Sequence, residues 1–332
     1  MTSYVVDIAR CGGEQRALVG GKAAALGEVA QAGFPVPPGF AVTTLAHAEF
    51  LAAAPRGERA DREVAIPGAI ADAVTRAYEG LAAAGHGVVA VRSSATAEDL
   101  DTASFAGQQE SYLGIRDASA VLDAVRRCWS SLFTTHAKAY RARLGIADDA
   151  ARMAVVVQAM VPARVAGVTF SLNPVNGDRS KIAVEACWGL GQRLMAGDIT
   201  PDRYLVDKVT LGVLSRAVTR QDVEERLDGT SVVATAVPPD RRDAPCMADE
   251  EVIEVARLAQ RLEQLRGHAV DVEWAVAAGE RFAEALRVVQ VRPETVWSRR
   301  PAAPVVPCLE SSVDYIVHFV MGGKAAASVE SG

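Results

Sequence analysis

The residues best suited to chemistry in this chain sit in three separated stretches. Val19-Gly20-Gly21-Lys22 places a glycine pair at the start of a helix and a lysine on its first turn. Free N–H groups and the positive end of the helix dipole favour an anion there. Arg92 follows an apolar run over residues 88–91 and precedes Ser93 and Ser94. An arginine at the mouth of a buried strand can grip phosphate through two nitrogens, and the hydroxyls add donors. The third stretch joins Asp271-Val272-Glu273-Trp274 to Gln290-Val291-Arg292-Pro293. In a strand, residues i and i+2 share a face, so Asp271 pairs with Glu273 and Gln290 with Arg292 on one side each. A hairpin would align all four. Their carboxylate and amide oxygens suit Mg²⁺, which keeps substrate phosphate in its remaining positions, and Arg292 would neutralise a transferring phosphoryl group. Plainer readings stand beside these: a solvated Lys22, an Arg92 paired with Glu98 or Asp99, and an Arg292 paired with Asp271 or Glu273.

Gly20-Gly21-Lys22 is not a Walker loop, which needs Gly where Arg16 stands and Ser or Thr where Ala23 stands. Two further stretches fit a nucleotide. Residues 155–161, with Gln158, Met160 and Val161, offer a strand edge with apolar flanks for a flat base. Glu185 ends a strand before a glycine loop containing Gly189 and Gly191, and could accept from ribose or amino protons. Both also read as core strand followed by a turn. Phe105-Ala106-Gly107-Gln108 reads as a small flap, because Gly107 lets backbone approach a ligand closely.

These residues need a frame. Residues 22–32 read as a helix stopped by Gly33 and by Pro35, Pro37 and Pro38. Residues 69–84, 119–144 and 248–266 read as further helices. Strands are expected at 40–43, 88–91, 109–113, 153–161, 165–172, 181–187, 203–208, 213–218, 232–237, 269–276 and 285–291, with a loop over 55–67. A helix-rich first half thus precedes a strand-rich second half, which implies an α+β chain of two lobes with a cleft between them. The lobes are expected at 1–150 and 151–297, with a linker and tail over 298–332.

The chain has 332 residues, half of them hydrophobic and 5% aromatic, so its core should be mostly Ala, Val and Leu. A net charge of −6 argues against a nucleic-acid binder. Five scattered cysteines without a C-x-x-C pair read as free thiols rather than zinc ligands or disulfides. There is no secretory leader and no apolar run long enough to cross a bilayer, so a soluble cytoplasmic protein with no membrane partner is expected.

The motifs also occur in a recognisable order. Val19 to Lys22, residues 32–40 (Ala-Gly-Phe-Pro-Val-Pro-Pro-Gly-Phe), Val91 to Ala95 and residues 103–108 resemble the N-terminal nucleotide-binding domain of the phosphoenolpyruvate synthase and pyruvate phosphate dikinase family. Residues 157–161, 166–171, 185–191, 200–202 and 290–295 continue the match, and rifampicin phosphotransferase has a similar domain. The resemblance implies a two-lobed ATP-grasp fold with ATP and Mg²⁺ in the cleft. By matched position, Lys22, Arg92 and Arg292 would hold phosphates, Glu273 and Gln290 metal, and residues 158–161 adenine. It implies transfer of the β-phosphoryl group, with release of AMP, to a histidine of a separate carrier domain or protein. A free-standing kinase for a small molecule and a non-catalytic nucleotide sensor are the alternatives. There are departures: the family's carrier segment is absent, Gln192 stands where Glu is usual, and the stretch between Glu273 and Gln290 is long.

Overall fold

In the structure, a computed structural model, residues 3–53, 64–95, 111–134, 152–229 and 231–298 are described. Those up to Glu294 belong to one compact unit. The chain begins with a short strand β1 (Val5–Asp7), then α1 (Arg16–Gln31), β2 (Gly39–Val42), α2 (Thr44–Ala53), α3 (Gly68–Ala83), β3 (Val89–Ala95), β4 (Ser111–Ile115) and α4 (Ala118–Ser131). It continues with β5 (Met153–Ala159), β6 (Ala163–Phe170), β7 (Lys181–Trp188), α5 (Gln192–Ala196), β8 (Asp202–Asp207), β9 (Val213–Ala217), β10 (Val223–Asp228) and β11 (Ser231–Ala236). It closes with α6 (Asp249–Arg266), β12 (Val270–Ala277), α7 (Phe282–Ala285) and β13 (Leu286–Pro293).

The strands form two larger sheets and a ribbon. The first sheet runs β1-β2-β5-β3-β4 and the second β13-β12-β6-β7-β8-β9, with β10 and β11 forming a two-stranded ribbon. Among the described residues every strand pairing in these two sheets is antiparallel, so the chain is a mixed α/β fold built on antiparallel sheets. The strand Met153–Ala159 lies in the middle of the first sheet, between β2 and β3. That sheet therefore draws on chain from both sides of residue 150.

Each sheet buries one face under helices. On the first, Phe40, Val42, Val89, Val91, Val155 and Val157 pack against Phe50 of α2, Ile70 and Val74 of α3, and Val125 and Trp129 of α4. The period of two then turns Ala90, Arg92 and Gln158 to the opposite face, where α1 packs through Val19, Ala23 and Leu26 onto Ala41 and Val156. On the second sheet, Val165, Val184, Val270, Val272 and Trp274 pack against Val252, Val255, Ala259 and Leu262 of α6. The Trp274 indole is fully buried and donates to the Thr169 hydroxyl at 2.8 Å. Removing so large a side chain costs about 3–5 kcal/mol.

Local chemistry explains the helix ends. Asp117 caps α4, its carboxylate accepting from the Ala120 N–H at 2.8 Å. The Glu251 carboxylate reaches back to the Ala248 N–H at 3.1 Å at the start of α6. α1 ends as expected at Gly33, whose φ of +83° turns the chain. The Phe34 N–H returns to Val29 O and the Gly33 N–H to Ala30 O, and Phe34 packs with Val29. No described helix is long and apolar enough to cross a membrane.

Several expectations needed revision. The strand expected at 88–91 extends to Ala95, and that at 109–113 spans Ser111–Ile115. Strand β1, helix α2, strand β10 and helices α5 and α7 do not figure among the elements expected from the sequence. The helix expected over 119–144 spans Ala118–Ser131, and residues 135–144, the expected flap at Gly107 and the tail beyond 298 lie outside the described residues.

Candidate active site

The hairpin expected from the third stretch forms. β12 and β13 pair antiparallel, with Asp271 opposite Arg292 and Glu273 opposite Gln290. The long connection stays at the hairpin tip, where α7 sits, so this register is untouched. A bulge follows. Trp274 lies opposite Val288, which leaves Val289 as an extra residue in β13. A bulge lets neighbouring residues face one side. Val288 and Val291 both enter the core beneath α6, while Val289 joins Glu273 in lining the cavity on the other face.

Charge is concentrated here. Arg292 Nη2 lies 3.2 Å from Glu273 Oε1, so the salt-bridge reading holds for that pair. Glu273 and Arg292 also act on Arg92. Burial lowers the Arg92 guanidinium from its ordinary value, Glu273 opposes that shift and Arg292 reinforces it. Arg92 Nη1 points to Val289 O at 3.5 Å, at the weak limit of a hydrogen bond. The Asp271 carboxyl is pushed up to about 7 by burial, with Arg292 pulling the other way and Glu294 and Glu273 adding to the rise. Its buried Oδ1 makes no hydrogen bond among the described residues.

The first two stretches also meet. Gly20 adopts φ +78° and ψ 169°, a conformation essentially reserved for glycine, and breaks α1 into two parts. A Cβ there would stand 2.2 Å from Ser94 O and 2.3 Å from Ser94 Oγ. The glycine turn therefore lies directly on the end of β3. Lys22 is buried, and its Nζ donates to Ser93 O at 2.6 Å.

Beside these groups is a cavity of about 100 Å³. Arg92, Gln158, Met160, Val161, Gly191 and Glu273 line it, among the residues singled out from the sequence. Gln158 is buried and directs its amide nitrogen to Pro37 O at 3.5 Å. Leu190, Ala163 and Ala166 give the cavity an apolar end, packed with Met160 and Val161. Lys22, Asp271, Gln290 and Arg292 do not line it; Lys22 bonds Ser93, the neighbour of Arg92 in β3, and the other three share the β12–β13 hairpin with Glu273.

Two residues fall elsewhere. Glu185 shares a cross-strand row with Val168 and Glu273, yet it bonds Arg203 at 3.2 Å and does not line the cavity. Gly189 bridges to Glu225 of β10 rather than facing the cavity, while its neighbours Leu190 and Gly191 do line it. Leu113, Met195 and Val289 line it without having been picked out. Met195 carried one readable signal, an apolar side chain just past the glycine loop.

The oxygen donors of Asp271, Glu273 and Gln290 suit a hard cation such as Mg²⁺, and the orphaned Asp271 Oδ1 is a buried acceptor in want of a partner. Among the described residues no group of three His, Cys, Asp or Glu side chains could hold a metal alone. A cation here needs the Gln290 amide and ligand oxygens to complete its shell.

The model of the pyruvate phosphate dikinase AMP/ATP-binding domain matches residues 16–64 and 58–310. The chain belongs to that family. It is 37% identical to the phosphoenolpyruvate synthase of Aeropyrum pernix over 95% of this chain and 45% of that protein. It is 37% identical to the rifampicin phosphotransferase of Streptomyces sviceus over 88% of this chain and 36% of that protein. The chain thus spans less than half the length of either relative. Among solved structures, a dinucleotide-forming acetyl-coenzyme A synthetase 1 of Ca. Korarchaeum cryptofilum, in complex with coenzyme A, Ca-AMPCP and HgCl+, aligns at TM-score 0.36 and 11% identity, over 81% of this chain and 90% of that one.

Proposed function

We propose that this chain is the nucleotide-handling part of an ATP-dependent phosphotransferase, an ATP-grasp pair of lobes that closes on ATP and Mg²⁺. The observation carrying the reading is the approach of Arg92, Glu273 and Arg292 from different stretches to the charged end of one cavity whose other end is apolar. The triphosphate would lie at the charged end and the base between Met160, Val161 and Leu190. Arg92 and Arg292 would spread charge away from the phosphoryl oxygens, and Lys22 would exchange Ser93 O for a phosphate oxygen. Glu273, Gln290 and Asp271 would hold the cation, which supplies further neutralisation of the phosphates.

The group transferred would be the β-phosphoryl, with AMP leaving, the γ-phosphoryl passing to water as inorganic phosphate or to phosphate as pyrophosphate, and a histidine nitrogen on a separate carrier domain or protein receiving the β-phosphoryl. The relatives' names, phosphoenolpyruvate synthase and rifampicin phosphotransferase, support phosphotransfer as the class of chemistry. A cytoplasmic setting follows from that reading.

The decisive measurement labels ATP at the β and then the γ position and follows the label in the presence of candidate carrier proteins. Acid-labile label on a carrier histidine with AMP as product supports the reading. ADP formed with a small acceptor and no carrier would replace it with direct γ-transfer. Tight ATP binding without phosphate release under any condition would make the chain a sensor.

A further inference from the structure

The cavity's polar side chains are unequally committed. Arg92 points to Val289 O, Gln158 to Pro37 O, and Glu273 is held by Arg292. The remaining polar side chain among its described lining residues is Gln192, on the first turn of α5. Among the described residues its amide makes no hydrogen bond, and it is exposed at the cavity wall. It follows Leu190 and Gly191 directly, and Leu190 packs with Met160 and Val161. Gln192 thus lines the cavity two residues along the chain from Leu190 of the apolar end, on the same short helix as Met195, which is 43% exposed although it also lines the cavity.

A flat heteroaromatic ring is a good occupant for such a slot. The Met160 and Met195 thioethers are flexible and polarisable and adapt to varied ring outlines. An amide differs from a carboxylate in one decisive way: it offers both a donor and an acceptor and can turn either toward its partner. A carboxylate only accepts. No charged side chain other than those at the phosphate end lines this cavity among the described residues.

We infer that Gln192 reads position 6 of a purine, and that its amide lets this cavity take either a 6-amino or a 6-oxo purine triphosphate. The inference rests on the cavity being the nucleotide site. With a 6-amino group the Gln192 carbonyl accepts; with a 6-oxo group the amide turns and donates. A carboxylate at 192 would keep the first bond and set an acceptor against an acceptor in the second.

The test compares binding of ATP and ITP, in the presence of Mg²⁺, to the full chain and to its Gln192→Glu and Gln192→Ala variants. The two ligands share ribose and phosphates, so their affinity ratio isolates the base. Wild type should bind both within a small factor. Gln192→Glu should raise the ATP:ITP ratio about tenfold, the loss expected when a polar contact is turned against its partner. Gln192→Ala should weaken both and leave the ratio near that of wild type. Because Gln192 is exposed and unbonded, neither variant threatens folding. A ratio that stays fixed in Gln192→Glu overturns the assignment of Gln192 while leaving the nucleotide site standing. Failure of wild type to bind either triphosphate overturns the site itself.

Discussion

Arg292 stands directly opposite Asp271 across the β12–β13 ladder, yet its guanidinium reaches diagonally to Glu273 at 3.2 Å. Glu273 thereby sits between two arginines, and Asp271 keeps a buried oxygen without a partner. This one choice of partner sets both the charge at the cavity mouth and the strain left beside it.

Glu273 should be the most sensitive position for turnover. Glu273→Gln preserves shape but removes the charge that offsets Arg92 and Arg292, together with a hard oxygen donor for the cation. Phosphoryl transfer from ATP should fall by more than about 100-fold, the scale of losing one well-placed electrostatic group. Quenched-flow product analysis with folding checked by circular dichroism tests it. Activity within a few-fold of wild type would remove Glu273 from the site.

Asp271 makes stability depend on pH in an unusual direction. Its carboxyl is raised from 3.8 to about 7, so the folded chain holds that proton more tightly than the unfolded chain. The associated stability is complete below about pH 4 and is lost as pH rises toward 7. Asp271→Asn carries no such charge. In metal-free buffer its urea midpoint should exceed that of wild type at pH 8 and converge with it near pH 4. A variant less stable than wild type at pH 8 would show that the buried charge is satisfied.

Gly20 tests the meeting of the first two stretches. Gly20→Ala should destabilise by at least about 1–3 kcal/mol from backbone conformation alone. The Cβ contact with Ser94 adds to that, because the neighbour is backbone and cannot step aside cheaply. Equilibrium denaturation reads the loss. The neighbouring Gly21→Ala is the control, and equal effects at the two positions would mean that the Gly20 turn is not special.

The thiols should be inert in the folded chain. Burial pushes Cys11 and Cys187 up to about 12 and raises Cys246 as well. Thiolate is the reactive form, so iodoacetamide at pH 8 should leave all three unmodified until urea is added. Peptide mass mapping reports this site by site. Prompt labelling of Cys187 in native buffer would place the β7 end closer to solvent than the structure has it.

Much of the frame was legible because it depends on local rules. Gly33 and the prolines after it end α1 through a hydrogen-bonding pattern needing only six residues. Alternating burial carried β12 and β13. The β10 segment Val-Glu-Glu-Arg-Leu-Asp was illegible for the opposite reason: its charges look unlike a strand, and it is one because β11 pairs with it along its whole length. Glu224 within it is buried only because Arg226 and Arg241 meet its carboxylate at 2.7 and 3.4 Å.

The order of residue types along the chain was enough to determine that Asp271 shares a face with Glu273 and Gln290 with Arg292, since a pleat alternates sides every residue. It determined likewise that a lysine follows a glycine pair and that an arginine ends an apolar run. Tertiary structure alone decided that Val289 bulges toward the cavity, that Arg292 chooses Glu273 over Asp271, that Lys22 is buried against Ser93 and that Gln192 lines the cavity. Those outcomes depend on ladder register and on contacts between segments as far as 197 residues apart, such as Arg92 with Val289. Separations of that length are settled by which surfaces can pack together, and no local periodicity encodes them.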